Sequence, residues 1–117
     1  MKKIHVPSDS PDEWVMIYIE RSSLYKIFGS WFGGYLGGDS WSLNSGIKAV
    51  EEDEDYYYFY GHSGSCYKCH KGKYATGTNY TGGVLNDLLE KSGAILIEKD
   101  SIIDVISEIN PMEDTDL

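Results

Sequence analysis

The sequence predicts an α+β fold: an antiparallel β-sheet of five or six strands, with two amphipathic helices near the C-terminus packed on one face. Three observations predict it. "IKAVE" (47–51), "YYYFY" (56–60) and "SCYKCH" (65–70) are short β-prone runs joined by tight polar turns, which is the pattern of a meander. "VLNDLLEK" (84–91) and "SIIDVISEI" (101–109) carry apolar residues at helical spacing, with Gly93 and Asn110-Pro111 as stops. The 117-residue chain has no repeat and no linker long enough to separate two domains, so one core has to serve it.

The elements follow in order. Residues 1–12 read as an extended N-terminal arm, with Pro7 and Pro11 barring a helix. "EWVMIYIE" (13–20) is apolar on both alternating faces, as in a central strand. "SSLYKIF" (22–28) places Leu24, Ile27 and Phe28 at helical spacing behind a serine cap, which predicts a short helix ended by Gly29. The glycine-rich stretch 29–46 suits short strands near 30–36 and 40–43 better than a helix, because each glycine costs a helix about 1 kcal/mol relative to alanine. The meander follows, then a loop over 76–83 and the first C-terminal helix. "AILIE" (94–98) reads as a buried strand, and Ser101 with Asp104 as a capping box for the second helix. The domain is therefore expected over 13–110, followed by an acidic disordered tail, 111–117.

Charge narrows the function classes. Nineteen acids against ten bases give a net charge of −9, which repels phosphate backbones and argues against nucleic acid as a partner. No apolar run reaches membrane-spanning length, and Lys2 and Lys3 are not followed by the apolar stretch of a signal peptide. The expectation is a cytoplasmic chain with reduced thiols and no membrane contact.

Cys66-Tyr67-Lys68-Cys69-His70 resembles the haem-attachment motif of the c-type cytochromes over those five residues. The resemblance implies two thioether bonds and His70 as an axial ligand. The surroundings point elsewhere: no helix precedes the motif, no export signal is present and no second axial ligand suggests itself. Zinc is the alternative cofactor, with Cys66, Cys69, His70 and His62 as candidate ligands and His5 as a further histidine. Strand alternation opposes it, since it sends Cys66, Lys68 and His70 to one face and Tyr67 and Cys69 to the other. A thioredoxin-type pair would need a helix directly after the cysteines, and "HKGKYATGTNY" is not one. "GHSGS" (61–65) misses the nucleophile-elbow pattern at Ser65 and lies between two strands. The expectation is no resident cofactor and no catalytic residues.

What remains is a surface. Ten tyrosines, seven of them between Tyr56 and Tyr80, and three tryptophans supply rigid contact area of the kind enriched at interfaces. The acidic tip Glu51, Glu52, Asp53, Glu54 and Asp55, with Tyr56, Tyr58 and Tyr60 beside it, is the candidate partner-binding site. These residues suggest a non-catalytic accessory, inhibitor or immunity-type protein that meets an unknown, basic protein partner. The rival reading is a small metal-binding or enzymatic domain built on the cysteine–histidine cluster. A homodimer formed through a sheet edge is a further option. From Tyr56 to Asn86 the chain carries no acid, and Lys68, Lys71 and Lys73 lie there among tyrosines.

Overall fold

A computed structural model describes residues 7–32, 39–76 and 79–110. The predicted strand segment at 33–36, residues 1–6 of the predicted 1–12 arm and the acidic tail 111–117 lie outside the described residues. Within them the order is β1 (Glu13–Ile19), β2 (Leu24–Trp31), β3 (Ser40–Leu43), β4 (Ile47–Glu52), β5 (Tyr56–Gly61), β6 (Cys66–His70), α1 (Asn79–Ser92), β7 (Ala94–Leu96), a 3-10 turn (Lys99–Ser101) and α2 (Ile102–Ile109).

The class is α+β with antiparallel pairing, but the strands divide into two sheets where the sequence predicts one. The first has the order β3-β2-β1-β7 and the second is the meander β4-β5-β6. Alternation along β1 explains the division. Trp14 and Met16 point into one apolar cluster, shared with Ile27, Val50, Phe59, Tyr67, Cys69, Ile102 and Val105. Val15 and Ile17 point into another, shared with Phe28 and Leu85. The four-stranded sheet is thus covered on both faces: α1 lies against one, and the meander with α2 against the other. The two helices do not share a face as predicted, because each seals a different apolar layer. Tyr67 of β6 ties the sheets together through its hydroxyl, 2.5 Å from Ser42 Oγ on β3.

The predicted helix at 22–28 is instead the start of β2. It pairs with β1 from Leu24 opposite Ile19 to Ser30 opposite Glu13. Because β2 is covered on both sides, adjacent Ile27 and Phe28 are both fully buried, one in each cluster. Their spacing imitates a helix only because a doubly buried strand loses its polar alternation. Ser23, one of the two serines at the predicted start of that helix, has φ 56° and turns the β1–β2 hairpin.

The C-terminal helices occur where expected, with changed edges. α1 begins at Asn79, five residues before the predicted start, and Gly93 ends it with φ 68° and an N–H bond to the Leu89 carbonyl. α2 follows directly from the 3-10 turn, and Ser101 makes no side-chain capping bond, so the predicted capping box is absent. Ile103 is 68% exposed, whereas the reading of the sequence placed it on the buried face. β7 is an edge strand with Ile95 and Leu96 exposed, not the buried strand predicted. At the end of α2, Asn110 bonds both the N–H and the carbonyl of Val50, standing in for a strand on the edge of β4. No helix among the described residues is long and apolar enough to cross a membrane.

Candidate functional site

The meander's outer face is where the predicted site residues gather. Tyr57 and Phe59 point inward and touch Trp14, so Tyr56, Tyr58 and Tyr60 point outward. Register then sets their neighbours. Glu51 and Lys68 flank Tyr58, His70 lies opposite Tyr56, and Ala49 and Cys66 flank Tyr60. A tyrosine ladder therefore runs down β5, with Glu51 on the β4 side and Lys68 and His70 on the β6 side.

The acidic tip is a built turn, and its five residues play different parts. Asp53 Oδ1 accepts N–H bonds from Asp55 at 3.0 Å and Tyr56 at 2.8 Å, while Oδ2 accepts the Tyr58 hydroxyl at 2.8 Å. Led by the Tyr58 bond, these contacts hold the Asp53 carboxyl below its ordinary value. Glu52 pairs with Lys71 at 2.6 Å, and Lys71 also donates to the Asp53 carbonyl. Glu51 accepts the Tyr60 hydroxyl at 3.0 Å. Glu54 and Asp55 are exposed and point charge at solvent. Tyr58 is buried by its neighbours, while Tyr56 and Tyr60 are half-buried.

A depressed carboxyl stabilises the fold above its unfolded value, and that contribution is lost as pH falls through the folded one. Asp53→Ala is accordingly expected to lower the melting temperature at neutral pH. It should also flatten the loss of stability with acid below about pH 4. Thermal melts across acid pH, followed by circular dichroism, check both outcomes.

The cysteines stand as alternation requires. Cys69 is fully buried in the core layer beside Tyr67, whereas Cys66 belongs to the outer row. Burial pushes the Cys69 thiol well up and raises Cys66 as well, the Tyr60 hydroxyl pulling Cys66 the other way. Reactive or metal-binding thiols need the opposite shift. Both cysteines are free thiols. Among the described residues no three His, Cys, Asp or Glu side chains gather as a metal site. His62 lies in the β5–β6 turn and His70 at the far end of β6. Ser63 Oγ is bonded by Ser45 rather than by a histidine, so "GHSGS" is a turn without a nucleophile–base pair.

Residues 8–12 lie over this region. Ser8 and Asp9 bond the Cys66 carbonyl, Lys68 N–H bonds the Asp9 carbonyl, and Asp12 N–H bonds Ser30. The open edge of β6 is thereby occupied by the chain's own arm, which protects it from foreign strands.

Two clefts border the meander, and neither was legible in the sequence. One, of about 260 Å³, is lined by the aromatic rings of Trp14, Tyr57 and Tyr74, by Ile102 and Ile103, and by the charged Lys71, Lys99 and Asp100. Trp14 is 57 residues from Lys71, and only the fold brings them together. The other, of about 280 Å³, opens between residues 10–12 and the outer row at Tyr56, Lys68 and His70. Comparison with protein-family profiles, curated proteins and solved structures finds no match to this chain.

Proposed function

We propose that this chain is a non-catalytic protein-binding module whose partner is a basic protein. The observation that carries the reading is the aromatic-lined cleft beside the acidic tip, with Lys71 common to both. A concave apolar pocket rimmed by polar groups is the usual seat of a binding hot spot. The partner places an apolar side chain between Tyr57 and Ile103, and its basic residues face Glu54 and Asp55. A net charge of −9 steers such a partner inward from a distance. Hydrogen bonds from Tyr58 to Asp53 and from Tyr60 to Glu51 hold the surface in one arrangement, so little side-chain freedom is lost on binding.

The test begins with a partner recovered by cross-linking and then purified. Glu54→Lys with Asp55→Lys should slow association about tenfold at low salt and less at high salt. Ile103→Asp, at an exposed position, should speed dissociation instead. A partner that binds both variants as it binds the parent protein would refute the reading. The rival built on Cys66, Cys69, His62 and His70 has its own discriminator: stoichiometric zinc or a Soret band in the purified protein would put a metal centre in place of the binding surface.

A further inference from the structure

The second cleft gathers positive charge in a strongly acidic protein. Lys68 and His70 project from β6, Lys73 follows it, and residues 10–12 of the arm close the opposite side. Lys71 and Lys91 are neutralised by Glu52 and Asp87, but among the described residues Lys68 and Lys73 have no ion-pair partner. The single carboxylate lining the cleft, Asp12, accepts the Phe32 N–H at 2.8 Å.

Lys68 and His70 are also held in place. Lys68 Nζ lies over the Tyr56 ring, 4.4 Å from its centroid, which fixes the ammonium at the cleft. The His70 ring meets the edge of Tyr56 at 5.1 Å between centroids. His70 Nδ1 accepts the Gly72 N–H at 2.9 Å, so in the neutral ring the proton is on Nε2, the remaining donor. The result is two unpaired ammonium groups and an oriented N–H around a space of about 280 Å³.

We propose that this cleft binds the phosphate of a small phosphorylated molecule, held by Lys68, Lys73 and the Nε2–H of His70. Charge-assisted bonds to a phosphate oxygen are among the strongest polar contacts available, and the volume admits several waters' worth of ligand. A single phosphate meets only the cleft. A nucleic-acid strand would have to run past Glu54 and Asp55, immediately before Tyr56 in the chain, and be repelled there. The proposal is independent of the protein-binding reading, because it uses neither Ile103 nor the acidic tip.

Titration of the full chain with inorganic phosphate and with adenosine monophosphate, by calorimetry and NMR, tests it. One saturable site is expected, with shifts centred on Tyr56, Lys68, His70 and Lys73. Lys68→Gln and Lys73→Gln should each weaken binding about tenfold, the exposed Lys73→Gln while leaving the melting temperature unchanged. Tighter binding of the nucleotide than of inorganic phosphate would show that the cleft also reads the organic group, and equal binding would make free phosphate the ligand. Shifts that grow without saturation at roughly millimolar phosphate, or lysine variants that titrate like the parent, would overturn the proposal. So would an oligothymidylate that binds more tightly than the mononucleotide.

Discussion

Trp14→Ala is expected to destabilise the protein by about 3–5 kcal/mol, the range for truncating a large buried aromatic. Trp14 is 1% exposed and joins three parts of the molecule. Its ring packs against Tyr57 and Phe59 of the meander and against Tyr74, with centroids 4.8 to 6.0 Å away. Its Nε1–H donates to the His70 carbonyl at 2.7 Å, and its backbone bonds the chain at Lys73 and Ala75. Alanine therefore opens a cavity where the two sheets meet and leaves a carbonyl without its donor. Against a typical total of about 5–15 kcal/mol, that loss removes much of the margin. Trp14→Phe separates the contributions, since it keeps most of the packing and loses the hydrogen bond, for a cost of about 1–3 kcal/mol. Urea unfolding followed by circular dichroism measures both, and a cost below about 1 kcal/mol for alanine would contradict this placement of Trp14.

The meander and both C-terminal helices were legible because their signals are local. Each has its own periodicity and its own stop, and Gly93 ends α1 by a conformation that glycine adopts at no steric cost. β2 was not legible, since burial on both faces puts Ile27 and Phe28 side by side and erases the polar alternation that marks a strand. The division into two sheets was hidden for a related reason. Sequence shows that β1 is apolar on both faces, but not that one face receives a helix and the other a second sheet. At the candidate site, alternation separated Cys66 from Cys69. It could not show that Asp53 is committed to the turn, or that Lys71 is neutralised while Lys68 and Lys73 are not. Those distinctions depend on which side chains meet across strands, and nothing in the order of residues 51–73 encodes them separately.

On the alkaline side, stability should begin to decline near pH 9.0, the ordinary thiol value above which Cys66 and Cys69 are raised, and fall steeply between about pH 10 and pH 12 through the tyrosines. Tyr25, Tyr58 and Tyr74 are each raised to about 12 from an ordinary value of 10.0. Burial leads for Tyr25, whose hydroxyl also donates to Glu108 at 2.8 Å, and the Asp53 bond leads for Tyr58. Burial likewise raises Tyr74, which spans β1 and the residue after β7: it accepts the Met16 N–H and donates to the Ile97 carbonyl. Tyr60 is shifted upward too, by burial and then by Glu51. A group raised on folding lends stability that is complete below its unfolded value and disappears as pH rises through the folded one. Each hydroxyl that stays protonated in the fold adds one proton to the slope of stability against pH. Phenolate absorbance should accordingly rise in two stages, the second together with loss of the circular dichroism signal. Tyr25→Phe should reduce the alkaline slope by about one proton, with little change below pH 10, because the lost Glu108 contact is at the surface. If all ten tyrosines ionised in one step near pH 10 with the fold intact, the hydrogen-bonded outer ladder and the Tyr74 strap would both be ruled out.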